Sequence, residues 1–117
     1  MIAVVDDDTA VRDAVADLLE VIRLDARTFA SAKVFLEAYR PGQYRCVITD
    51  MRMKPMSGID LASRLRTLEP DLPVILLTAQ PEVARDLTRD NGQCILAKPV
   101  DAADLVSHVL KALGRNG

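Results

Sequence analysis

The chain has no tryptophan, and its aromatic residues are two phenylalanines and two tyrosines, 3% of 117 residues. Any core must therefore be built mainly from aliphatic side chains. Cysteine is scarce as well: Cys46 and Cys94 each open an apolar, strand-like run, where a small buried hydrophobe is the ordinary role. Two such residues supply no disulfide framework. Positive charge is not in excess, since 15 Lys and Arg stand against 17 Asp and Glu, a formal net charge of −2. That balance gives no support to nucleic-acid binding through phosphate neutralisation, and any DNA role would need another domain. Also missing are an apolar run of about 18 residues and a basic leader ending in a small-residue cleavage site. No membrane span or secretory signal is visible, and the expected location is the cytoplasm. With no internal repeat, low-complexity segment or long linker, residues 1–117 read as one domain.

What is present is ordinary globular composition, 50% hydrophobic and 27% charged, arranged as apolar runs alternating with helical patterns. Cys46-Val47-Ile48-Thr49-Asp50 is the run on which the rest depends, because it is apolar until it stops at a carboxylate. Strands buried on both faces have this continuous apolar character. Ile2 to Val5 makes a first strand that runs into Asp6-Asp7-Asp8. Asp8 is placed to cap a helix carrying Val11, Ala14, Val15, Leu18, Leu19 and Ile22. A weaker strand over Ala26 to Phe29 precedes a helix opened by Ser31, with Val34, Phe35, Leu36 and Tyr39 as its stripe and Pro41-Gly42 as its stop. After Asp50 a loop leads to a helix with Ile59, Ala62, Leu65 and Leu68, ended by Glu69-Pro70. Val74 to Thr78 is the strongest strand signal. Pro81 to Gly92 has a thin apolar stripe and predicts a short, poorly buried helix. Cys94 to Ala97 is a fifth strand, followed by Lys98-Pro99 and a last helix capped by Asp101 and stopped by Gly114.

Five strands alternating with five helices predict a parallel sheet covered on both faces, with right-handed crossovers. Five strands fit the flavodoxin-like order 2-1-3-4-5, whose switch point lies between the first and third. That order sets Asp6, Asp7 and Asp50 side by side and brings Thr78 and Lys98 to the same edge. It also keeps the thiols apart: two strand spacings are roughly 10 Å, beyond the ~7 Å that a disulfide spans between Cα atoms.

Three carboxylates on one edge repel one another, and a hard divalent cation with oxygen ligands is the ordinary remedy. Magnesium suits one or two carboxylates together with a phosphate, and it offsets charge during phosphoryl transfer. Asp50 could then attack phosphorus and form an acyl phosphate. Lys98 would pair with the phosphoryl oxygens, and the Thr78 hydroxyl could donate to one of them. Taken singly each residue has a plainer role, as cap, turn, strand or surface cation. Their coincidence at one edge favours the chemical one.

The whole chain resembles the receiver domain of two-component response regulators, through Val5-Asp6-Asp7-Asp8, Asp50 with Met53 and Ser57-Gly58, Leu77-Thr78-Ala79, and Lys98-Pro99. Phe29-Ala30-Ser31-Ala32 with Phe35-Leu36, and Thr49-Asp50-Met51-Arg52-Met53, look most like receivers of FixJ-type regulators, which usually carry a LuxR-type DNA-binding domain in transcription regulation. The resemblance implies that Asp50 accepts a phosphoryl group from a sensor histidine kinase. It implies a magnesium site of Asp7, Asp50 and the backbone carbonyl of Arg52, with Asp6 assisting through water. It further implies that Thr78 and Lys98 sense the phosphoryl group, that Lys98-Pro99 is cis, and that Arg52, Ala79 and Gln80 tune how fast the group is lost. Such a domain catalyses only its own phosphorylation and dephosphorylation. It passes the signal to an output domain or partner, with a homodimer on phosphorylation as one route.

Three departures bear on output. Lys54 intervenes between Met53 and Pro55, where most members have proline directly; the stretch from Thr78 to Lys98 is about two residues short; and Ile95 stands where many receivers place a switching Tyr or Phe. These leave the usual dimer face of fourth helix, fifth strand and fifth helix open. His108 is expected to be merely solvated on the last helix. Two other readings compete: a degenerate receiver acting as a phosphorylation-independent interaction module, and a haloacid-dehalogenase-like phosphatase using Asp6 as nucleophile.

Overall fold

Three of the apolar runs become strands buried at every residue: β1 (Ile2–Val5), β3 (Cys46–Asp50) and β4 (Val74–Thr78). The computed structural model describes residues 1–83 and 94–114. In it β2 (Ala26–Phe29) and β5 (Cys94–Ala97) flank those three strands. The sheet is parallel, in the expected order β2-β1-β3-β4-β5. The edge strands are the less buried ones, β2 because it carries Arg27 and Thr28, and β5 although all four of its residues are apolar.

Side chains alternate across a strand, so each one feeds two layers. On one face Ala3, Val5 and Val47 pack with Phe35 of α2 (Ala32–Ala38) and with Leu61 and Leu65 of α3 (Gly58–Leu68). On the other, Ile2, Val4 and Ile48 pack with Val15 and Leu19 of α1 (Thr9–Val21) and with Leu105 and Val109 of α4 (Ala102–Ala112). The aromatic residues Phe29, Phe35, Tyr39 and Tyr44 all lie in the first layer, with neighbouring ring centroids 5.2 to 6.3 Å apart.

Short polar residues start the helices by accepting otherwise unpaired backbone N–H groups. Asp8 accepts from Ala10 and Val11, Ser31 from Val34, Ser57 from Asp60, and Asp101 from Asp104. Gly114, at φ +73°, follows α4 as the expected stop.

Several expectations need correction. α2 ends at Ala38, short of Pro41, and Tyr39 leaves it in extended backbone while staying buried. Val34 is 47% exposed, because the inward face of so short a helix is set by Ala32 and Phe35. Leu68, the last residue of α3, is 52% exposed, and Ala14 also faces outward. Both the Lys98–Pro99 and the Lys54–Pro55 bonds are cis; only the first was expected. Of the helix predicted over Pro81 to Gly92, residues 81–83 are helical and the rest lies outside the described residues.

Cys46 is buried and Cys94 half-buried, both unbridged, and burial pushes the Cys46 thiol up to about 12. Among the described residues no helix is long and apolar enough to cross a membrane.

Candidate functional site

The carboxyl ends of four strands meet on one rim of the sheet, and register decides which side chains they deliver. Val5 lies opposite Thr49, so the next residues, Asp6 and Asp50, emerge side by side. Asp50 pairs with Leu77, which sets Thr78 one residue beyond it, and Thr78 pairs with Ala97 ahead of Lys98. The Lys98 N–H donates to the Thr78 carbonyl at 2.8 Å. Asp6, Asp50 and Thr78 are buried and Asp7 is exposed.

The Lys98 ammonium lies 3.0 Å from Asp50 Oδ1 and 3.2 Å from Asp6 Oδ2. Burial alone would lower its pKa, but the hydrogen bond and charge of Asp50, joined by Asp6, hold it above the ordinary lysine value. Burial raises the Asp6 carboxyl above the usual carboxylate range. The Asp8 N–H and Lys98 pull it back, while the Asp50 charge adds to the rise. Both Asp6 oxygens are engaged, Oδ1 with the Asp8 N–H at 2.9 Å and Oδ2 with Lys98.

Carboxylate oxygens of Asp6, Asp7 and Asp50 lie within 4.8 Å of one another. An all-oxygen donor set that mixes buried and exposed carboxylates fits a hard divalent cation, which also answers the excess of three acids over one ammonium. Asp50, Arg52, Thr78, Ala79, Gln80 and Lys98 line an open cavity of about 300 Å³ beside this cluster. Thr78 Oγ1 accepts the Gln80 N–H at 2.9 Å, which leaves the hydroxyl proton available for donation. Arg52 Nη2 donates to Gln80 Oε1 at 2.7 Å and so closes one side of the mouth.

The structure thus brings together the side chains of Asp6, Asp7, Asp50, Thr78 and Lys98, with Arg52 and Gln80 at the margin. Ile95 is half-buried on β5, paired with Leu76. His108 lies away from the rim on α4, its Nδ1 2.7 Å from the Asp104 carbonyl oxygen. The sequence reading missed Arg12, whose Nη1 donates to the Asp6 carbonyl at 2.6 Å. Its place four residues after the capping Asp8 was the available signal.

Residues 2–110 match the response regulator receiver domain family. The chain is 38% identical over 115 residues to the transcriptional regulatory protein TdiR of Thauera aromatica, covering 97% of this chain and 51% of that one. It is 36% identical to the transcriptional regulatory protein FixJ of Azorhizobium caulinodans, covering 97% and 54%. The chain therefore spans about half the length of these regulators. Among solved structures it is similar to a response regulator receiver domain protein from Clostridium thermocellum, with a TM-score of 0.89, 29% identity and coverage of 97% and 94%. The receiver domain of NtrX from Brucella abortus matches at a TM-score of 0.88, with 28% identity and coverage of 99% and 100%.

Proposed function

The chain belongs to the response regulator receiver family, and on that footing we propose that it is a phosphorylation-dependent switch whose phosphoacceptor is Asp50. The observation that carries this is the convergence on Asp50 of Asp6 and Asp7 from the end of β1 and of Lys98 from the end of β5. The donor is a phosphohistidine of a sensor histidine kinase. An Asp50 carboxylate oxygen attacks phosphorus, a P–O bond forms, the P–N bond breaks, and the imidazole leaves with a proton. Lys98, already beside Asp50, follows the charge onto the phosphoryl oxygens, and Thr78 donates its free hydroxyl proton to one of them. Asp7 and Asp50, with the Arg52 carbonyl and with Asp6 through water, would hold magnesium, whose charge offsets that of the phosphoryl oxygens.

Loss of the Lys98–Asp50 pair on phosphorylation is the event that biases the fold toward its signalling state. With Ile95 in place of an aromatic ring, that bias passes through the backbone after β4 and β5. The recipient is an output domain or a partner, and a homodimer is one form the signalling state can take. Contact with DNA would come only through an output domain, as the transcriptional regulators in the family suggest. The domain catalyses only its own phosphorylation and dephosphorylation.

Incubation with Mg²⁺ and a small phosphodonor, followed by intact-mass measurement, tests the reading. The wild type should gain one phosphoryl group and Asp50→Asn none. No gain under any donor and metal would leave a phosphorylation-independent interaction module. A label surviving in Asp50→Asn would point to Asp6 as nucleophile, a role that its two engaged oxygens disfavour.

A further inference from the structure

Of the three acids in the loop between β1 and α1, Asp6 and Asp8 are tied down and Asp7 is not. Asp6 is held through Oδ1 by the Asp8 N–H, through Oδ2 by Lys98, and through its own N–H, which donates to the Phe29 carbonyl at 3.1 Å. Asp8 is committed to capping α1. The exposed Asp7 carboxylate makes no side-chain hydrogen bond among the described residues, so its direction depends on the backbone that carries it.

One further contact acts on that backbone. From the first turn of α1, the half-buried Arg12 reaches back with both arms of its guanidinium. Nη1 donates to the Asp6 carbonyl oxygen at 2.6 Å, and Nη2 donates to Thr9 Oγ1 at 3.1 Å. The Asp6 carbonyl and the Asp7 N–H share one rigid peptide plane, so a donor that fixes the carbonyl also fixes the direction in which the chain enters Asp7. Thr9 is the first residue of α1, so the fork joins the two ends of the loop bearing all three acids.

We propose that Arg12 is a positioning residue for the cation site: its fork holds the Asp6–Asp7 peptide so that the Asp7 carboxylate stays converged on Asp6 and Asp50. The inference rests on the receiver reading above, since it needs that cluster to bind a divalent cation. A planar fork serving two acceptors is a task for arginine; a lysine at this position keeps the charge and loses the second arm.

The test is a titration with Mn²⁺ alone, read from the electron paramagnetic resonance signal of the free ion, with thermal melting in chelator alongside. Arg12→Lys should weaken Mn²⁺ binding about tenfold, as loss of an outer partner of a ligand commonly does, while its melting midpoint stays near that of the wild type. Thr9→Ala, which removes one acceptor and keeps the Asp6 contact, should weaken it by a smaller factor than Arg12→Lys does. Wild-type affinity in Arg12→Lys would show that charge and not the fork matters, and would overturn the proposal. Should Arg12→Lys fail to fold, Thr9→Ala decides, with weakened binding in support and unchanged binding against. A wild type with no saturable Mn²⁺ binding would remove the cation site itself, a failure distinct from one confined to the variants.

Discussion

Gly58 leaves no space between itself and Asp50: a Cβ built on it would overlap the Asp50 backbone oxygen and come within 2.9 Å of the carbonyl carbon. The Gly58 N–H also donates to the Met51 carbonyl at 2.9 Å. The start of α3 is therefore seated directly against the backbone of Asp50, the proposed phosphoacceptor. Gly58→Ala should push the two apart at a cost of about 1–3 kcal/mol, as overpacking does. Urea denaturation should show that loss, and mass labelling should show slower phosphoryl uptake as the Asp50 backbone shifts. A variant with wild-type stability and labelling would mean that the close approach is easily relaxed.

Replacing Lys98 by Met strands two neighbouring carboxylates, one of them fully buried. Removing one partner of a buried pair costs several kcal/mol, and the partial exposure of Lys98 reduces the expectation to about 1–3 kcal/mol at neutral pH. The sign of the pH dependence follows from the two shifts. The raised Asp6 value means that its charged form costs stability above that value, and the cost fades as pH falls toward the ordinary carboxylate range. The deficit of Lys98→Met should therefore shrink on acidification and also on adding Mg²⁺. Denaturation midpoints across pH, with and without the metal, check both. In the wild type the raised Lys98 value gives a contribution fully present below the ordinary lysine value and lost as pH climbs through the folded one.

Tyr39 Oη donates to Glu69 Oε1 at 2.6 Å, and the Gly42 N–H reaches the same oxygen at 3.2 Å, tying the end of α2 to the end of α3. Burial and the Glu69 carboxylate push the Tyr39 phenol up to about 12. The fold thus keeps this phenol neutral where an unfolded chain would ionise it, so its contribution is full below the ordinary tyrosine value and is lost as pH rises toward the folded one. Tyr39→Phe should cost about 1–2 kcal/mol at pH 7, the scale of a hydrogen bond to a charged group with some exposure. It should also flatten the alkaline fall in stability, and urea midpoints on the two proteins from neutral to alkaline pH would measure that difference.

The rim was legible in the sequence because the apolar runs mark where strands end, and parallel register then lines those ends up. Placing Asp6, Asp50, Thr78 and Lys98 needed only the apolar stretches Ile2 to Val5, Cys46 to Thr49, Val74 to Leu77 and Cys94 to Ala97 that lead into them. What escaped was decided by contacts that leave no periodic trace. Arg12 acts on a carbonyl six residues back, Tyr39 finds Glu69 thirty residues on, and the cis bond before Pro55 depends on the loop around it. Val34 was misplaced for another reason. In a helix of 7 residues one step of rotation carries a side chain from core to solvent, and the apolar spacing over so few positions fits more than one face.

The confinement of the rings to one layer has a practical outcome for spectroscopy. Tyr39 follows α2 and Tyr44 stands two residues ahead of β3, so both absorb and emit from the entry side of the strands, away from the carboxyl-end rim. Ultraviolet emission from the native chain would track the floor of the sheet and stay dark to events at Asp50, so an optical assay of the proposed switching calls for a reporter dye or an introduced indole near the rim.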